Sequence, residues 1–224
     1  MKDDKLKPWM RILLILCGLA LVVVLFVPLW RIDLDAPQYP EGLWLLIYPD
    51  KLAGNVDIIN GLNHYIGMKT LHTDDFFEFT ILPYIIGFFA LFFVVAGVAA
   101  RRKLMYFLFI LFVSFGMLAM FDFWRWEYDY GHNLNPDAAI IVPGMAYQPP
   151  LIGFKQLLNF GAYSFPDIGG WIFISVGAAL LAMVIIVWRS AKKGKRKFSK
   201  VVMAVSLLAI LSSCNTDPEP IKTG

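Results

Sequence analysis

Charge is scarce in this sequence. Asp, Glu, Lys and Arg make up 17% of its 224 residues, against about 25% in soluble domains. The shortage concentrates in four stretches, at about 10–30, 79–100, 104–121 and 168–188, which hold none of the four charged types inside them apart from Arg11 near one end. Cysteine is nearly absent: with only Cys17 and Cys214 there is no disulfide framework, no paired-cysteine zinc site and no CxxCH haem attachment. The three histidines, His64, His72 and His132, all lie outside the apolar stretches, which excludes a haem held by two histidines between spans. The same stretches lack the carboxylate or histidine expected of an ion-coupled transporter. A Gly-rich phosphate loop and a nucleophile elbow are missing too, so no nucleotide or acyl-transfer chemistry is indicated.

What fills the space is apolar. The chain is 58% hydrophobic, and about 20 apolar residues are what a helix needs to cross roughly 30 Å of hydrocarbon. The four stretches therefore predict an all-α membrane protein with four transmembrane helices. Trp9, Trp30, Trp124, Trp126, Trp171 and Trp188 mark the span ends, where amphipathic rings prefer the interface. The first stretch reads as an uncleaved anchor, because "PLWRIDLDAP" follows it with no small-residue cleavage site.

Basic residues gather in three clusters: Lys2, Lys5, Lys7 and Arg11; Arg101, Arg102 and Lys103; and the run between Arg189 and Lys200. Alternation places all three on one side, and the positive-inside rule makes that side cytoplasmic. A multi-pass protein of a bacterial inner membrane is expected, with a cytoplasmic N-terminus and two long periplasmic loops, 31–78 and 122–167. Topology accounts for the basic runs, so nucleic acid is not an expected partner. Residues 1–190 form the predicted four-span domain and 191–224 a separate tail.

That tail has the parts of a secretory signal in an unusual place. The basic run is an n-region, Val201 to Leu211 is a short apolar h-region, and "LSSC" ends in small residues before Cys214. Cys214 is accordingly a candidate lipidation site; the competing reading is a short fifth helix with an incidental cysteine. "LSSCNTDPEPIKTG" resembles the opening of the accessory copper lipoproteins of nitrous-oxide reductase, which implies that the chain joins a membrane protein to a lipoprotein start, as a truncated fusion or two adjacent genes read as one. Over most of residues 30–190, "APQYPEG", "INGLNHYIGMKTLH", "WEYDYGHNLNPDAAI" and "VPGMAYQPPLIG" resemble a multi-span protein family encoded beside such lipoproteins in bacterial nitrous-oxide reduction clusters. The resemblance implies a pathway and carries no catalytic residue.

Candidate metal ligands come from the residues themselves. His64, Met68 and His72 recur at i, i+4 and i+8, one stripe if the segment is helical. Imidazole with thioether suits copper, thioether favouring Cu(I). His132 is a possible added ligand, and Asp74 and Asp75 are placed to orient a histidine. The competing reading is an interfacial helix that turns Ile66 and Met68 into lipid or core. Met145, in "VPGMAYQPP", reads as a packing residue in a turn. The segment "FDFWRWEYDY" fits either a strand or a helix; if helical, Arg125 has Asp122 and Asp129 at i−3 and i+4 on a solvated face.

Composition and topology, taken with what the resemblance implies, predict a non-enzymatic accessory protein for copper handling or maturation of a periplasmic nitrous-oxide reductase, with the lipoprotein or the reductase as partner and copper as the candidate cofactor. The alternative is a membrane subunit of an electron-transfer chain that docks a periplasmic cytochrome or contacts quinol.

Overall fold

A computed structural model describes residues 5–157 and 159–213, with side chains described as far as residue 191. The chain divides into two compact units, Met1–Leu181 and Ala182–Gly224. Five α-helices and five strands follow in the order α1 (Pro8–Val24), β1 (Trp30–Ala36), β2 (Tyr39–Ile47), β3 (Leu52–Gly54), α2 (Val56–Ile66), α3 (Phe77–Ala99), α4 (Arg102–His132), β4 (Gly153–Leu157), β5 (Phe160–Pro166) and α5 (Ile168–Ser213). A single 3₁₀ turn, Thr73–Asp75, separates α2 from α3.

Three helices among the described residues, not four, are long and apolar enough to cross a membrane: α3, α4 and the Ile168–Ala191 part of α5. The first stretch falls short because its last residues are not helical. After Val24 the backbone tightens into i→i+3 hydrogen bonds from Leu25 to Val22 and Phe26 to Val23, Pro28 follows, and Trp30 already belongs to β1. Seventeen residues remain in α1, about 25 Å at 1.5 Å per residue. Nor is the apolar run 201–211 a separate segment, since its backbone lies within α5.

Helix α1 runs antiparallel along α3, with Gly18 against Ala90 and Gly97 against Arg11. A Cβ on Gly18 would come 2.7 Å from the Ala90 carbonyl oxygen, and one on Gly97 2.8 Å from that of Arg11. Small residues let the two backbones approach this closely. Arg11 Nε donates to the Gly97 carbonyl at 3.2 Å, and the Leu6 N–H donates to Ala100 O at 2.8 Å. The N-terminal segment with Lys5, Lys7 and Arg11 and the α3–α4 turn with Arg101, Arg102 and Lys103 therefore meet at one end of the bundle.

At the opposite end the expected loops are replaced by a sheet, so the chain is not all-α. All pairings are antiparallel and the strand order is β3-β2-β1-β5-β4. Strand β1 is central. It pairs with β2 through Ile32↔Leu45 and with β5 through Ile32↔Ser164, joining the two segments between helices into one domain. Open sheet edges carry unpaired backbone groups that hydrocarbon does not tolerate.

Alternation along β1 and β2 turns Ile32, Leu43 and Leu45 inward, where they pack with Ile59 of α2, Leu71 and Tyr130 of α4. Each such side chain contributes about 1.5–3 kcal/mol on burial. The opposite sheet face carries Trp44, Asp33, Tyr163 and Phe154 in one cross-strand row. Helix α4 has 31 residues, about 46 Å, well beyond the hydrocarbon thickness. Its charge-free part covers 104–121, and residues 122–132, with Asp122, Arg125, Glu127 and Asp129, extend past it into the sheet domain.

Candidate functional site

The extension of α4 has two faces. Phe123, Trp126 and Tyr130 pack on the sheet core, whereas Arg125 and Asp129 are exposed. Asp129 pairs with Lys69 at 2.9 Å, and that lysine's hydrogen bond lowers the pKa of the Asp129 carboxyl. Glu127 falls on the core side, 0% exposed, one turn from both Phe123 and Tyr130.

Three polar or charged side chains are buried among the described residues: Asn63, Glu127 and Ser164. Ser164 accepts from the Trp30 indole N–H at 2.8 Å and donates to Leu151 O at 3.2 Å. Asn63 Nδ2 donates to Lys69 O at 3.3 Å. Glu127 is the exception, with neither carboxylate oxygen meeting a hydrogen-bond partner among the described residues. Burial pushes its pKa up to about 8, with the more distant Lys155 pulling the other way. It therefore carries a proton at neutral pH.

Glu127 borders a cavity of about 80 Å³. Strands β1 and β2 give Ile32 and Leu45 to its wall, α2 gives Ile59 and Asn63, and the segment after α2 gives Met68. Tyr147 and Pro149 line it from the long connection between α4 and β4. That connection is pinned where it crosses older structure. The Tyr147 N–H donates to Gly131 O at 2.9 Å, and the Asn135 N–H to Gly67 O at 2.7 Å. Gly131 is required there, because a Cβ would overlap the backbone of Gln148. Lys155 Nζ adds a bond to Gln148 O at 3.0 Å. Two further buried donors border the site without partners among the described residues, the Tyr147 hydroxyl and the Trp126 indole N–H. Tyr130 differs: its hydroxyl donates to Thr70 O, and burial, then Asp75 and Asp129, push its pKa up to about 12.

The predicted metal ligands are distributed differently. Helix α2 ends at Ile66, and Gly67 takes a left-handed conformation with φ of 79°, so His64, Met68 and His72 do not share a helical stripe. His64 is exposed on α2 and packs edge-on to Tyr65. His72 is exposed at the start of the 3₁₀ turn. Met68 alone of the set enters the cavity wall. His132 stacks on Tyr128 at 4.0 Å, with Nδ1 2.9 Å from Tyr128 O. Asp74 and Asp75 line an open cleft with Asp50 and Thr73. Among the described residues no three of His, Cys, Asp and Glu converge as a metal-binding group. Cys214 lies outside the described residues.

Chemically the site is a small, half-open apolar cavity bordered by one neutral carboxyl and two unused donors. Sequence inspection passes over Glu127 in favour of Arg125 and its acidic neighbours. No protein-family model, curated protein or solved structure matches the chain.

Proposed function

We propose that the chain is a non-enzymatic membrane protein of accessory type, whose helices hold a sheet domain at one face of the bilayer and whose domain receives a small ligand at Glu127. The carrying observation is the carboxyl itself, fully buried, unpartnered among the described residues and next to a cavity. Burying an ionisable group without a partner costs several kcal/mol, and folding needs only an apolar side chain at that position. Such groups cluster at functional sites. A binding role is favoured over catalysis because the wall offers Glu127 no nucleophile or base partner to act with. The basic clusters at the far end of the bundle support a periplasmic placement for the sheet domain in a bacterial inner membrane.

The pathway in this proposal, copper handling or maturation of a nitrous-oxide reductase alongside a periplasmic partner, rests on the sequence resemblance. Met68 gives the copper version one structural support, since a thioether lines the same cavity as Glu127. Copper seated there predicts that Met68→Leu lowers the copper stoichiometry of the purified chain while the His64→Ala, His72→Ala double variant leaves it unchanged. The reverse pattern moves the metal to the exposed histidines.

The test is complementation of a deletion strain with wild type, Glu127→Gln or Glu127→Leu at matched membrane levels, reading nitrous-oxide consumption and copper occupancy of the reductase. Wild type is expected to restore both and the variants neither. Undiminished consumption in the deletion strain would remove the accessory role, and full rescue by Glu127→Leu would detach it from the cavity.

A further inference from the structure

The end of the bundle opposite the sheet fastens two basic clusters to each other. The Leu6 N–H donates to Ala100 O at 2.8 Å, and an isolated antiparallel bridge sets Lys5 opposite Arg101, with about 5 Å between Cα atoms. Leu6 is buried, which anchors the segment between Lys5 and Lys7. Arg11 Nε is fixed on Gly97 O. Only Ala100 and Arg101 connect α3 to α4, with Ala100 in a left-handed conformation, φ 57°, so Arg101, Arg102 and Lys103 follow the end of α3 directly.

Among the described residues nothing at this end neutralises the cations. Every described Asp and Glu lies within 33–78 or 122–167, and both ion pairs among the described residues, Arg31–Asp33 and Lys69–Asp129, belong to those segments. Asp3 and Asp4, outside the described residues, offset at most two of the seven cations in the two clusters. Helix α4 opens with no acidic residue in its first turn and no side-chain cap, and its N-terminus adds partial positive charge. Arg102 is half-buried, its Nε–H enclosed and unpartnered among the described residues, so its charge is partly desolvated as well as uncompensated. The positive-inside rule asks only that basic residues lie on one side. It does not ask that like charges face each other across a backbone pair, which is destabilising. That arrangement calls for a counter-anion.

We infer that this end of the bundle binds the phosphate headgroup of an anionic phospholipid, with Lys5, Arg101 and Lys103 around the phosphate and an acyl chain along the outer face of α4. Lys103 stands at the top of that face. It recurs with Phe107 and Ile110 at i, i+4 and i+7, and all three are exposed, the two apolar side chains by 57% and 63%. A charge at the head of an apolar stripe matches a lipid's own order, phosphate first and hydrocarbon below. A free phosphate would leave the stripe unused. In the orientation proposed above, the site meets the cytoplasmic leaflet, whose anionic lipids are recognised by basic residues at helix ends. The inference goes beyond the accessory role and depends neither on it nor on Glu127.

The experiment titrates palmitoyl-oleoyl phosphatidylglycerol into the full-length chain in a neutral detergent and counts bound lipids by native mass spectrometry. Phosphatidylcholine with the same chains tests the headgroup charge, and inorganic phosphate and glycerophosphoglycerol test the anion without hydrocarbon. One phosphatidylglycerol should bind ahead of the rest, about tenfold tighter than phosphatidylcholine, and more weakly as salt is added. Neither soluble anion should compete at the lipid's own concentration. Lys5→Gln, Arg101→Gln and Lys103→Gln together should weaken this first site roughly 100-fold, about fivefold for each charge. The same loss of charge at Lys51, Lys69 and Arg125 in the sheet domain should leave it unchanged. Equal affinity for the two lipids in wild type would overturn the inference, whether or not the triple variant inserts. A triple variant that keeps the first site while its β1 amides stay protected would overturn it as well. Competition by inorganic phosphate or glycerophosphoglycerol at the lipid's concentration would overturn the lipid and leave a bare anion site.

Discussion

Replacing Glu127 by Gln should remove a pH dependence that wild type carries in its sheet domain. In the fold the carboxyl titrates at about 8, against an ordinary 4.5. Between those values the unfolded chain has lost the proton and the folded chain retains it. The unfolded state thus binds fewer protons, and stability falls as pH rises. The slope approaches 1.36 kcal/mol per pH unit, on the order of 4 kcal/mol between pH 5 and 8. Gln is neutral throughout, so the variant should match wild type near pH 5 and exceed it by on the order of 3 kcal/mol at pH 7. The assay is native-state hydrogen exchange of β1 and β5 amides in micelles, corrected for intrinsic rates, because those central strands report opening of the whole domain. A wild-type profile that is flat or rises over this range, or one that Glu127→Gln leaves parallel, would refute the argument.

Asp129 is the control with the opposite sign. Lys69 lowers its pKa, so its contribution is present above the ordinary carboxylate range and lost as pH falls, yet the pair is exposed, and Asp129→Asn should cost under about 0.5 kcal/mol by the same exchange measurement. Gly131→Ala should push the Gln148 backbone away and cost about 1–3 kcal/mol, seen as faster exchange at the Tyr147 amide. Single cysteines at Lys51 and Asp137, in a background lacking Cys17 and Cys214, should react with an impermeant thiol reagent in intact cells while one at Lys103 does not. Labelling at Lys103 with protection at Lys51 would invert the orientation.

Hydropathy makes the long helices legible because a membrane span is a composition before it is a shape. The expected 104–121 and 168–188 fall within the observed helices Arg102–His132 and Ile168–Ser213, and 79–100 overruns Phe77–Ala99 by one residue. The same measure overcounts at 10–30, where apolar residues continue past the end of a helix into a strand. Window averages do not register Pro28 or the change of period at Trp30. The strand itself was legible on other grounds: "WRIDLDA" alternates apolar with charged residues, a period-2 signature, and Ile32 and Ala36 are indeed buried while Arg31, Asp33 and Asp35 are not. Strand β5 offers no such help. In "FGAYSFP" the small residues Ala162 and Ser164 face inward and the large Tyr163 and Phe165 are exposed, the reverse of the usual pattern. Nothing local says that β5 pairs with β1 across three intervening helices.

The site was hidden for a related reason. While strand and helix stay open for "FDFWRWEYDY", its charges look alike, and attention goes to the arginine with an acid on either side. Once α4 is seen to continue to His132, the helical period sorts them: 123, 126, 127, 130 and 131 fall on one face and 122, 125 and 129 on the other. The second face is solvated and needs no explanation. The first is built of Phe123, Trp126, Tyr130 and a glycine that admits the Gln148 backbone, and Glu127 is its one violation of pattern. Local rules tend to be broken where function requires it. A leucine at this position would fill the chamber, relieve the buried carboxyl and make the domain more stable. What it would remove is an unpartnered carboxyl bordering a cavity, and that is the one property of Glu127 that the fold itself does not use.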